Sequence, residues 1–292
     1  YSAGVLVGTP RGRSREGAAN QRWYRVISPS VPAGMEGFVL PGGGFAKGGT
    51  CMLENKIRSE EESERYLAEL KIWMAGEEDR PAEEMAAFFA KRLETYEDVH
   101  LGNWGELYAH IADFLSEGLR TLLDIGCGTG LELEAVFRRF PEAEVTGIDL
   151  SRDMLEKARE KFAGRRFQGI EADYFEYPFP AGHFDAALSF ETLHHFPCEK
   201  KGAIYEKLFQ TLKNGGYYIE CDYVACCQEE EDLCRERLRR ARAKSALPED
   251  VYLHIDTPLT LEHQTELMER AGFQVKVLYQ NCGTVVFRAE KQ

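Results

Sequence analysis

An α/β fold is what this sequence predicts: a doubly wound, mainly parallel sheet of seven strands that ends in an antiparallel hairpin. Three observations predict it. From Leu119 onward, short apolar runs alternate with longer stretches of helical period. That alternation is the spacing of βαβ units with helices on both faces of a parallel sheet. The apolar run Leu122 to Ile125 leads into Gly126-Cys127-Gly128-Thr129-Gly130, a glycine turn that opens a helix at Leu131. Finally, only the short loop Gln280 to Cys282 separates the last two apolar runs. A loop that short allows a hairpin and no crossover helix.

The elements follow in order. Strands are expected at 120–125, 144–149, 166–170, 184–189, 216–222, 273–278 and 283–289, and helices at 131–140, 151–163, 199–213, 228–245 and 260–271. Ahead of these, 53–76 reads as a charged helix with sparse apolar positions (Ile57, Tyr66, Leu67, Leu70, Ile72, Trp73) and a stop at Gly76. A second helix follows Pro81, a residue tolerated in a first turn, and carries Met85, Phe88, Phe89 and Leu93 on one face. Asn103 through Ser116 suggests a third, with Trp104, Leu107, Tyr108, Ile111 and Phe114. Segment 228–245 begins with Glu229-Glu230-Glu231-Asp232 and is basic from Arg235 to Lys244. Acid at a helix start and base at its end complement the macrodipole. It reads as a solvated helix; the alternative is a basic patch for an anionic substrate.

Residues 1–50 differ from the rest. They hold 11 of the 27 glycines, 4 of the 11 prolines and six basic against two acidic residues, so the remainder carries −17. The expected organisation is a flexible extension (1–51), a helical N-terminal region (52–118) and an α/β domain (119–292). The chain begins at Tyr1, and Met52 is an alternative start that would leave 241 residues.

The totals bound the function. A chain of 292 residues with 43% hydrophobic content suits one large α/β domain, or one with an appendage. A net charge of −13 repels phosphate backbones and disfavours nucleic acid as a partner. No apolar run reaches membrane-spanning length and no secretory signal is seen. Of the eight cysteines only Cys226 and Cys227 are closely spaced. Cys221, Cys226, Cys227 and Cys234 match no C-x-x-C metal pattern, so reduced thiols in the cytoplasm are expected.

The chemistry gathers at strand ends. Glycines accept positive φ and lack a Cβ, so a ligand can lie against their backbone. The strict G-x-G-x-x-G dinucleotide fingerprint is absent; the turn is G-x-G-x-G. Asp149 ends the run Val145 to Asp149, where a carboxylate would accept the ribose hydroxyls of a nucleoside.

Asp124-Ile125-Gly126-Cys127-Gly128-Thr129-Gly130, then Gly147-Ile148-Asp149-Leu150, Glu171-Ala172-Asp173-Tyr174, Phe184 to Phe190 and Leu212 to Gly216 resemble the ordered motifs of class I S-adenosylmethionine-dependent methyltransferases. The resemblance runs from about residue 85 to the C-terminus. It implies a Rossmann-like fold, N-terminal helices as a lid, and S-adenosyl-L-methionine as cofactor. It also implies roles. Tyr96 would lie near the methionyl end. Gly126, Cys127 and Gly128 would give close backbone approach, and Asp124 would help hold the amino group. Asp149 would take both ribose hydroxyls. Leu150 and Met154 would cover the adenine, Asp173 would accept its exocyclic amine, and Tyr174 would lie beside it. Phe190 and Glu191 would sit beneath the transferred methyl. Gly37 to Gly44 resembles the glycine-rich opening of Nudix hydrolases, but the following helix lacks that family's carboxylate set.

Methyl transfer is an in-line displacement that depends mainly on positioning. A base is needed only when the nucleophile arrives protonated. Glu191, His194 and His195 are the candidates for that base. No metal is expected, because neighbouring histidines do not easily share one ion. Tyr223 and His254-Ile255-Asp256 could reach the substrate side. The expected acceptor is a small molecule. The alternatives are tRNA or protein, or a non-catalytic binder of the cofactor acting as a regulator.

Overall fold

The computed structural model describes residues 53–77 and 80–292. The extension 1–51, the start at Met52 and the glycine-rich segment 37–44 lie outside the described residues.

The seven apolar runs become β1 (Thr121–Ile125), β2 (Glu144–Asp149), β3 (Phe167–Glu171), β4 (Phe184–Phe190), β5 (Leu212–Tyr223), β6 (Gln274–Asn281) and β7 (Thr284–Glu290). They form one sheet in the order β3-β2-β1-β4-β5-β7-β6. Strands β1 to β5 pair parallel, and β7 inserts antiparallel between β5 and β6. The winding direction reverses between β1 and β4, so the carboxyl ends of these strands diverge and leave a crevice.

Period-two alternation sends side chains of one strand to opposite layers. Leu122 joins the core under Ile111, Val136 and Leu188; Leu123 and Ile125 join the core with Ile204, Leu208 and Tyr218 on the other face. A strand covered on both faces reads as a continuous apolar run, which is why β1 was legible.

The helices are α1 (Glu60–Gly76), α2 (Met85–Arg92), α3 (Tyr96–His110), α4 (Leu131–Arg139), α5 (Arg152–Lys161), α6 (Cys198–Thr211), α7 (Gln228–Lys244) and α8 (Leu261–Arg270). Four boundaries differ from expectation. First, α1 begins at Glu60 because Ser59 and Glu62 form a capping box. The residues before it run extended, and Lys56 exchanges backbone hydrogen bonds with Gln280 and Cys282 beside β6. Ile57 and Ile72 are exposed, and Tyr66 and Leu70 are the buried residues of the helix. Second, α3 begins at Tyr96, kinks at Trp104 (φ −126°, ψ 18°) and ends in a 3-10 turn, Ile111–Phe114. Third, β5 starts at Leu212, through a register shift opposite Phe184 and Ala186. Fourth, the hairpin turn narrows to Cys282-Gly283, with Gln280 and Asn281 still paired to β7.

Candidate cofactor and acceptor site

The turn after β1 holds Gly126 at φ +67° and Gly128 at φ +48°, a region that costs other residues about 1–2 kcal/mol. A Cβ on Gly126 would stand 2.3 Å from the Thr192 methyl. That space is therefore filled by protein. The N–H groups of Gly126 and Cys127 donate to the Ile148 carbonyl, and that of Gly128 donates to Asp149. These amides are engaged, and the Cys127 side chain is buried. Close approach is left at Gly128, where a Cβ would meet only the Tyr96 hydroxyl at 3.4 Å and the Met154 methyl at 3.6 Å.

Asp149, at the end of β2, accepts from Gly128 N–H at 2.9 Å and Ser151 N–H at 2.7 Å. Burial pushes its carboxyl up, against the pull of those two amides. Each oxygen keeps a lone pair for a further donor. Next to it Leu150 is 38% exposed, an apolar side chain left open at a strand end. Met154 is buried in the first turn of α5. Asp173 follows β3 and accepts from Phe175 N–H (2.8 Å) and the Tyr252 hydroxyl (2.6 Å). Tyr174 is buried, and its hydroxyl has no partner.

Asp124 is wholly buried, and its oxygens have no hydrogen-bond partner beyond the proton it can share with the Glu132 carboxyl. Its neighbour is Glu132, in the first turn of α4 and also buried. Burial pushes Glu132 up to about 7. Burial, then Glu132 and Asp149, raise Asp124 well above the carboxylate range. Two acids this close behind the glycine turn retain a proton near neutral pH.

Across the switch point, β4 ends at Phe190, which stacks on Tyr108 with ring centroids 3.9 Å apart. Glu191 follows at φ +49°, and its Oε1 is buried without a partner. Burial, opposed by His194, pushes this carboxyl up to about 8. A 3-10 turn, Leu193–His195, then directs both imidazoles to one side, with centroids 4.0 Å apart. His194 Nδ1–H donates to Asp222 Oδ1 at 2.5 Å. The opposite Asp222 oxygen accepts from the backbone N–H groups of Leu193 and His194 at 2.8 and 2.9 Å. Burial disfavours an imidazolium, yet Asp222, Asp256 and Glu191 push His194 up to about 9. Asp256 Oδ1 lies 3.8 Å from His194 Nε2 and 3.0 Å from His195 Nδ1.

Glu191, His194, His195 and Asp256 floor a cavity of about 840 Å³. Its walls include Phe88 and Phe89 of α2, Arg237 and Arg240 of α7, and His254, which stacks on Phe88 at 3.4 Å. None of Gly128, Asp149, Met154 or Asp173 lines it. The glycine turn and the cavity are thus separate regions, with Tyr96 next to the turn and His100, on which it packs at 4.0 Å, next to the cavity. Helix α7 is more than a solvated face. Glu230 is buried and takes hydrogen bonds from Tyr66 at 2.5 Å and from Tyr223.

The sequence reading does not single out Glu132, Thr192, Asp222 or Tyr252. Glu132 looks like an ordinary acidic residue at a helix start. Asp222 carried one signal: with Glu220 it puts two acids at the end of a strand whose other residues from Tyr217 onward are apolar or aromatic.

The family described as a methyltransferase domain matches residues 122–216. An uncharacterized methyltransferase of Geobacillus sp. (strain WCH70) is 28% identical over 220 residues, covering 72% of this chain and 96% of that one. Trans-aconitate 2-methyltransferase of Rhodopseudomonas palustris (strain BisB18) is 39% identical over 98 residues, 34% of this chain and 36% of its own. Among solved structures, the S-adenosylmethionine-dependent methyltransferase SibL superposes with a TM-score of 0.54 at 19% identity, covering 78% of this chain and 69% of that one. That last likeness is one of fold.

Proposed function

We propose that this chain is a class I S-adenosylmethionine-dependent methyltransferase that methylates a small molecule held in the cavity beyond Glu191. The single observation that carries the reading is the cavity itself. Its volume of about 840 Å³ is that of a small-molecule site, and its floor abuts the ends of β4 and β5. Relatives named for trans-aconitate and for malonyl-[acyl-carrier protein] support a small or carrier-bound acceptor. Among the described residues no helix is long and apolar enough to cross a membrane.

The residues present fit the cofactor. Asp149 would take the ribose hydroxyls, Leu150 and Met154 the adenine faces, and Asp173 the adenine amine, with Tyr174 alongside. The Asp124 carboxyl, paired with Glu132, forms a negative pole behind Gly126 to Gly128 and suits a methionyl ammonium. Tyr96 would close over that end. When bound, the cofactor supplies an electrophilic methyl on a sulfonium. The protein's part is to hold the acceptor in line and exclude water, with Phe190 backed by Tyr108 as a rigid wall. Helices α1 to α3 would form the lid. Where the acceptor carries a proton, Glu191 Oε1 is the group at hand to receive it.

Incubation with methyl-labelled S-adenosylmethionine and fractionated cell extract tests this. Label is expected in the small-molecule fraction. Label in tRNA or protein would favour the macromolecular reading, which Arg237, Arg240 and Lys244 on the cavity wall support. Binding without transfer to any fraction would favour a non-catalytic regulator.

The buried acid pair makes cofactor affinity depend on pH. Raising pH through about 7 ionises Glu132, and a cationic ligand then binds tighter. Affinity should therefore rise from about pH 6 to about pH 8, with proton release on binding at the lower end. The empty protein has the opposite sign. Folded Glu132 keeps a proton that the unfolded chain gives up near 4.5, so the pair's contribution to stability falls as pH rises from 4.5 through about 7. Glu132→Gln should flatten both profiles. Calorimetry in buffers of different ionisation enthalpy measures the proton; equal heats in all buffers near pH 6 would remove the coupling.

A further inference from the structure

We propose that the cavity floor is a divalent transition-metal site, ligated by His194 Nε2, His195 Nδ1 and an Asp256 carboxylate oxygen. Adjacent residues of a strand face opposite ways, which is why neighbouring histidines make a poor ligand pair. Here the 3-10 turn removes that objection by bringing the two rings to 4.0 Å. The three donor atoms all lie within 4.8 Å of one another, with Asp256 Oδ1 at 3.0 Å from His195 Nδ1 and 3.8 Å from His194 Nε2. Two ligands of one ion with bonds of about 2.1 Å stand about 3.0–3.4 Å apart, so only the His194 side needs to close slightly.

Three further observations point the same way. His195 Nδ1 is buried and makes no regular hydrogen bond, while a carboxylate oxygen of Asp256 stands 3.0 Å from it. His194 is oriented as metal-bound histidines are. Asp222 takes its Nδ1–H at 2.5 Å and so turns Nε2 toward Asp256, where an ion would displace the proton that the surrounding carboxylates favour on Nε2. Asp222 is itself fixed by the N–H groups of Leu193, His194 and Tyr223. The loop bearing Asp256 is pinned too. Thr257 donates its N–H and hydroxyl to the His194 carbonyl at 2.5 and 3.2 Å, and buried Lys201 donates to the Thr257 carbonyl at 3.1 Å. The donors are thus held together by groups that do not themselves reach the ion.

Two imidazoles and one carboxylate leave coordination positions open and suit Mn²⁺, Fe²⁺, Co²⁺ or Zn²⁺ over Ca²⁺. Because all three residues line the cavity, the open positions face the acceptor. An ion there would polarise an acceptor hydroxyl, amine or carboxylate.

The test is ion binding by the full chain after chelator treatment, titrated with Mn²⁺ by calorimetry and with Co²⁺ by absorption. One ion per chain is expected, with a cobalt spectrum free of thiolate charge transfer. His195→Ala/Asp256→Asn should abolish it, His195→Gln should weaken it, and Asp222→Asn should weaken it about 10–100-fold. Thermal unfolding confirms that each variant is folded. No binding by the folded parent, thiolate bands, or binding unchanged in the double variant would overturn the proposal. The readout does not involve methyl transfer, so its failure leaves the methyltransferase reading standing.

Discussion

Asp149→Ala weakens binding of S-adenosylmethionine by about 100-fold or more. The expectation comes from counting bonds. A carboxylate at the end of β2 that takes two ribose hydroxyls makes charge-assisted hydrogen bonds worth about 1.5–3 kcal/mol each, and a loss of about 3 kcal/mol is about 100-fold in affinity. The same oxygens accept from Gly128 and Ser151, so the variant also loosens the glycine turn and the cap of α5. Asp149→Asn separates the two parts, since it keeps one acceptor oxygen and should fall between alanine and the parent. Calorimetric titration reads the effect, with circular dichroism as the check on folding. Unchanged affinity in a folded Asp149→Ala protein would mean that the ribose lies elsewhere.

Gly126→Ala is expected to destabilise the fold by about 3 kcal/mol and to remove cofactor binding with it. Two costs add. Alanine at a φ of +67° loses about 1–2 kcal/mol, and a methyl inserted into filled space costs about 1–3 kcal/mol. The Thr192 side chain is the obstacle, at 2.3 Å from its Cγ2 and 2.9 Å from its Oγ1. It cannot easily turn aside, since Oγ1 donates to the Phe190 carbonyl at 3.0 Å. The double variant Gly126→Ala/Thr192→Ala should recover the overlap and keep the backbone strain. Denaturant unfolding separates the two. A single variant as stable as the parent would show that β1 and the β4 turn do not meet as described.

The sheet was legible because burial on both faces writes itself as apolar runs, and because a loop as short as Gln280 to Cys282 cannot hold a crossover. The glycine turn and Asp149 were legible for the same reason: backbone geometry and strand ends leave local marks. What the sequence concealed was long-range. Thr192 meets Gly126 only because β4 lies next to β1, and nothing in either segment announces it. The Asp124–Glu132 pair looks like a strand acid and a helix-start acid until burial brings them together. The placement of the histidines was hidden in a more specific way. Their adjacency argues against a shared ion, and the 3-10 turn that brings the rings together, a local conformation that no hydrophobic period encodes, is what the metal-site proposal rests on. Asp222 and Asp256, from two other segments of the chain, complete a cluster whose parts are ordinary when read singly. Helix α1 was drawn too long because charged residues before Ser59 continued the pattern, and capping chemistry, not periodicity, ended it.

The central claim is that cofactor and acceptor meet on either side of Glu191. A crystal structure of the full chain with S-adenosylhomocysteine tests it most directly. The ribose is expected on Asp149, the amino group toward the Asp124–Glu132 pair, and the thioether sulfur facing Glu191 and the cavity floor. A nucleoside bound away from Asp149, or a sulfur turned from that cavity, would contradict the account.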